Sequence, residues 1–66
     1  MTKIAQNLYK KAIDENEAAG SFGIAANLAV RAGMIERAID NYEKADMFKE
    51  AAELMLSLSV TVKYIV

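Results

Sequence analysis

The sequence predicts an all-α fold of three or four short antiparallel helices, and three observations carry that prediction. Of the 66 residues twelve are Ala, none is Pro and only three are Gly, so the strongest helix former is abundant and the breakers are scarce. Apolar residues recur at i, i+3, i+4 and i+7, the signature of one helical face. That pattern itself repeats every thirteen residues without insertion, in segments opening at Gln6, Ala19, Ala32, Ala45 and Leu58.

The frame fixes each element. Its fourth position holds a bulky apolar residue (Tyr9, Phe22, Ile35, Phe48) and its seventh an invariant Ala (Ala12, Ala25, Ala38, Ala51). The eighth is Ile13, Ala26, Ile39, Ala52, and the eleventh is Asn16, Ala29, Tyr42, Met55. A large knob followed one turn later by a small residue suits close helix packing. The second position (Asn7, Gly20, Gly33, Asp46, Ser59) favours turns and caps.

The first helix is predicted over 3–18, where Asn7 does not break the run. Gly20 ends it, and Ser21 is expected to cap a second helix over 21–31. Arg31 in the last turn suits the helix dipole before Gly33 closes that element. A third helix is predicted over 34–44 and a fourth over 47–57, with Asp46 as its expected cap and Glu50 in its first turn. The break at 45–46 contains no Gly, so one fused helix over 34–57 is the alternative. Gly23 sits in the first turn of the second helix, where the bland reading is a poor local choice and the sharper one a close helix crossing. The last stretch, 59–66, is β-branched and loosely alternating. It is expected to be a frayed fifth helix or an extended tail, which divides the chain into a helical-repeat domain, 1–58, and a C-terminal tail or assembly segment, 59–66.

Composition excludes much chemistry. The chain has no His and no Cys, which removes disulfides, thiolate nucleophiles and nearly every zinc, haem or iron–sulfur site. No Ser has a His to activate it. Asp14, Glu15 and Glu17 cluster near Lys10 and Lys11, which reads as i,i+4 surface pairing rather than an acid/base site. Gly20 and Gly23 lack the Lys-Ser/Thr of a phosphate cradle. No catalytic residue, metal or cofactor is expected, and the chain is expected not to be an enzyme. A net charge of −1 gives no field for nucleic acid. No apolar run is long enough for a signal peptide or membrane span, so a cytoplasmic location is expected.

The run Ala32-Gly33-x-Ile35-x-x-Ala38-x-x-x-Tyr42-x-x-Ala45 resembles the tetratricopeptide family. Gly33 falls on that family's turn glycine, Ala38 on its small residue, Tyr42 on its late aromatic and Ala45 on its final Ala, while Phe22 and Ala26 match its first helix. The family's terminal Pro is absent, Ala25 stands where a Leu is usual and Ala29 where a Tyr is. The match covers 22–45. The thirteen-residue period is shorter than the family's and is closer to tetratricopeptide-like solenoids of coat and intraflagellar transport proteins, to which residues 43–54 are also similar. Residues 4–31 bear a weaker likeness to the microtubule-interacting-and-trafficking three-helix module.

The tetratricopeptide resemblance implies helical hairpins that bind a protein or peptide. Carried over, its groove would use Asn7, Lys10, Asn27 and Arg31, a set that can hold a peptide carboxylate; the plainer reading makes these solvated positions. Leu54, Leu58, Val60, Val62, Tyr64 and Ile65 form the candidate self-association surface, for a homodimer or larger helical assembly. The alternative function is a small helix-turn-helix DNA-binding regulator, disfavoured by Glu36, Asp40 and Glu43 on its would-be recognition helix.

Overall fold

Three loops of one construction set the architecture. In the computed structural model, which describes the backbone of residues 1–65 and the side chains of 1–58, the helices are α1 (Lys3–Ala18), α2 (Phe22–Arg31), α3 (Ile35–Lys44) and α4 (Phe48–Ile65). Among the described residues there is no strand. Each loop passes through the left-handed region at the frame's second position, with φ of 77° at Gly20, 77° at Gly33 and 59° at Asp46. Each closes with the same two backbone bonds. The left-handed residue donates three residues back (Gly20→Glu17, Gly33→Val30, Asp46→Glu43, all 3.0 Å), and its successor five residues back (Ser21→Asn16, Met34→Ala29, Met47→Tyr42, all 2.8 Å). These bonds satisfy the carbonyls that a helix end would otherwise leave bare.

The break at 45–46 is therefore real, and α3 and α4 are separate helices. Asp46 reaches it by adopting a conformation that Asp tolerates better than most residues. Its role differs from the one expected: it ends α3 rather than capping α4. Ser21 occupies the N-cap of α2 but makes no capping bond with its side chain. Thr2 does cap, its hydroxyl accepting from the Ala5 N–H at 3.1 Å.

The fourth helix is longer than expected. It continues to Ile65 instead of ending at 57 before a tail, because the fifth unit offers no left-handed residue and no Pro to stop it. Ser57, in mid-helix, donates to the Glu53 carbonyl at 3.1 Å. The side chains of Val60, Val62, Tyr64 and Ile65 and all of Val66 lie outside the described residues, so the self-association set is placed only at Leu54 and Leu58.

Packing follows the chain: α2 lies on α1, α3 on α2 and α4 on α3. The frame assigns the faces. Positions four, eight and eleven point forward to the next helix and are covered in the first three units; positions three, seven and ten point back and are covered in the last three. Ile13 thus shares a cluster with Ala25, Ala29, Ala32 and Ala38, and Ala51 shares another with Ala26, Ile39 and Tyr42. Leu54 packs against both clusters and Leu58 against the second. Among the described residues, six of the nine buried apolar ones are Ala (Ala25, Ala26, Ala29, Ala32, Ala38 and Ala51), so the helices approach closely but each contact removes little apolar surface.

Gly23 marks a close crossing, the sharper of its two readings. A Cβ there would stand 3.2 Å from the Met47 sulfur and 4.0 Å from the Ala45 Cβ, bringing the start of α2 against the loop before α4.

Candidate functional site

Two features stand out from the helical scaffold: a polar clamp between α1 and α3, and bare apolar edges on the outermost helices.

The clamp is built around Glu17. Its carboxylate accepts from Arg37 Nη2 at 2.6 Å and Nε at 3.0 Å, and from Asn41 Nδ2 at 2.7 Å. Arg37 also pairs with Asp14. The Arg37 fork is satisfied bidentately, the strong geometry for an ion pair. Its hydrogen bonds, with that of Asn41, hold the Glu17 carboxyl down to about 2. The expected pairing of the acidic cluster with Lys10 and Lys11 is thus replaced for Asp14 and Glu17 by a contact across helices. Nothing local to either helix signals it, since Arg37 lies twenty residues from Glu17. Asn41 is 1% exposed. Its amide N–H groups bond to Glu17 and to the Arg37 carbonyl (3.1 Å), while its Oδ1 is buried without a partner. The clamp holds every charge in a pair, and it positions helices rather than presenting a reactive group.

The four residues expected to hold a peptide, Asn7, Lys10, Asn27 and Arg31, are all exposed, and the Asn27 Oδ1 accepts the Tyr42 hydroxyl at 2.6 Å and so ties α2 to α3. Gln6, which sequence reasoning left unassigned, reaches across to the Ala32 carbonyl at the end of α2 (3.0 Å). The Lys44 ammonium lies 5.5 Å from the centre of the Phe22 ring, within cation–π range. Among the described residues, no group of three or more acidic side chains is placed to hold a metal ion. Among the described residues, no helix is long and apolar enough to cross a membrane.

The edges are the second feature. On α1 the backward positions have nothing to cover them: Leu8 is 63% exposed, with Ile4 at 74% beside it. Ala5, Leu8, Tyr9, Ala12 and Leu28 line an open apolar groove of about 300 Å³ there. On α4 the forward positions are bare, with Phe48 63% and Met55 46% exposed and Ala52 exposed between them. The same positions are covered in every earlier unit. A larger open groove, about 640 Å³, runs between Gly33, Ile35, Asp40 and Leu58. Sequence reasoning placed the self-association surface at the C-terminal end and missed the groove on α1, although Ile4 and Leu8 were visible as apolar residues outside the main stripe. Compared with known proteins, the chain matches no family model, no curated protein and no solved structure.

Proposed function

We propose that this chain is a non-catalytic protein-interaction and assembly module, a tetratricopeptide-like helical repeat whose partners dock on its outer helices. One observation carries the reading: small residues fill the inside while Ile4, Leu8, Phe48, Met55 and Leu56 stand in solvent. Apolar surface arranged in this way marks an interaction site, and helical repeats expose such a face wherever no polar cap covers it. The partner that fits is a helix. Each bare edge repeats a face that packs a helix elsewhere in the chain, and helix-in-groove recognition uses anchors at this spacing. The clamp supports the reading by fixing α1 against α3, so that the edges are presented on a rigid frame. Glu36, Asp40 and Glu43 are exposed on α3, a face that would repel phosphate and so disfavours nucleic-acid binding.

The test is site-specific photo-crosslinking in cells of the source organism, with the reactive side chain at Leu8 or Phe48 and a control at Glu43. Discrete protein adducts from either edge position, absent from the control, are the expected result. No adduct from either edge would refute the reading.

A further inference from the structure

We infer that the occupant of each bare edge is a second copy of this chain, stacked head to tail, with α4 of one copy lying on α1 of the next. The inference rests on the interaction reading above and names its partner.

The repeat itself supplies the argument. Within the chain, α3 presents its forward positions Ile35, Ile39 and Tyr42, and the last unit answers with Met47 just before α4 and with Ala51 and Leu54 on it. What α4 presents in turn is Phe48, Ala52 and Met55, and what α1 offers is Leu8, Ala12 and Glu15. Set together, these two faces continue the internal packing by one more step. In that antiparallel continuation Met55 would meet Leu8 and the small Ala12, inside the groove lined by Ala5, Leu8, Tyr9, Ala12 and Leu28, and the Phe48 ring would lie toward the Glu15 end of α1.

Length agrees. At about 1.5 Å per residue, α4 with 18 residues spans about 27 Å and α3 with 10 only about 15 Å. α3 is too short to lie along the whole of its neighbour. The 16 residues of α1 span about 24 Å, a close match to α4.

Direction is also consistent: three-residue loops make each consecutive pair of helices a hairpin, and an even number of helices keeps the alternation across the junction. The contact is heterologous, so it propagates unless its rotation closes a ring.

The experiment is sedimentation equilibrium on the full chain, on Leu8→Glu, on Phe48→Glu and on their equimolar mixture. Both substituted side chains are 63% exposed, so both variants keep the fold, which circular dichroism verifies. Wild type is expected to gain mass with concentration, each variant alone to stay monomeric, and the mixture to form a one-to-one dimer through the intact edge each variant retains. A wild type that remains monomeric at high micromolar concentration overturns the inference. So does either variant assembling alone, which would indicate a symmetric contact, or a mixture that does not associate. If the purified chain is monomeric while Leu8 or Phe48 captures a different protein in cells, this inference fails and the interaction reading stands. To guard against a local distortion by Glu, Leu8→Cys and Met55→Cys serve as a second measurement in this cysteine-free chain. The mixed disulfide should outnumber both symmetric ones, and a symmetric excess overturns the proposal.

Discussion

Replacing Asp46 by Gly should stabilise the protein. All three loops need a left-handed residue at one frame position, and two of them have Gly there. Asp46 has a φ of 59°, a region that costs a residue with a Cβ about 1–2 kcal/mol, with Asp at the low end. Gly removes that cost but gives up about 0.5–1 kcal/mol of chain entropy on folding. With Asp at the low end, the difference is a gain of up to about 0.5 kcal/mol, or a rise in melting temperature of up to roughly 2–4 °C for a domain of this size. Nothing offsets it in packing, because the Asp46 side chain is exposed, and its backbone bond to the Glu43 carbonyl does not involve the side chain. Urea and thermal melts followed by far-ultraviolet circular dichroism would measure the change. Asp46→Asn is the control, keeping the tolerance for this conformation while removing the charge; it should move stability by no more than a few tenths of a kcal/mol. The reciprocal change, Gly33→Ala, should lose more, about 0.5–1 kcal/mol, because Ala lacks the tolerance of Asp for this region. An Asp46→Gly variant no more stable than wild type would refute the backbone account, and an equal gain from Asp46→Asn would transfer the effect to electrostatics.

The core makes further demands. Ala38 is fully buried among Ile13, Ala25, Ala29 and Ala32, so Ala38→Leu should overfill the contact and cost about 1–3 kcal/mol in urea titration; an unchanged midpoint would mean that the seventh position is not a packing hole. Glu17 titrates near 2 in the folded chain against an ordinary 4.5, so the unfolded chain takes up its proton first as pH falls. Its stabilisation is fully present above pH 4.5 and fades toward pH 2, and Glu17→Gln should flatten the stability profile over that interval. Gly23→Ala should be close to neutral, because a helix-propensity gain of up to about 1 kcal/mol is offset by crowding the Met47 sulfur. The gain should emerge in a Met47→Ala background, and a double-mutant cycle with no coupling would contradict the close crossing.

The thirteen-residue frame made the helix boundaries legible because every loop repeats one left-handed position, and a Gly at that position is a local signal. Asp46 was harder to read, since its conformation is held by bonds to Glu43 and Tyr42 that only the packed structure reveals. The end of α4 was misjudged for a related reason. Val60, Thr61 and Val62 suggest an extended chain by propensity, but helices are ended by a left-handed residue or a Pro, and 58–65 contain neither. The clamp was illegible in principle. Asp14 has Lys10 and Lys11 one turn back, and nothing local distinguishes those from an arginine on another helix. Asn27 shows the same limit: a polar residue on an amphipathic helix looks free until its partner, Tyr42, is brought beside it.

The clamp and the bare edges have a common origin in the length of the repeat. Thirteen residues leave ten for the helix after a three-residue loop, as in α2 and α3, which is fewer than three turns. A face that short holds only a few inward positions, and here most of them are Ala. Apolar contact between neighbouring helices is therefore small, and the arrangement needs help from interactions that do not scale with area. Glu17 with Arg37 and Asn41, Tyr42 with Asn27, and Gln6 with the Ala32 carbonyl each tie one helix to another at a single defined point. Such polar contacts fix geometry more than they add stability, since breaking them costs more than making them gains. Most of the exposed large apolar side chains meanwhile lie on α1 and α4, with Ile24 and Val30 on α2, and burial of Leu8, Phe48 or Met55 would contribute about 1.5–3 kcal/mol apiece. A chain organised in this way gains most from packing another helix against its ends, so its assembly and its stability should rise together with concentration.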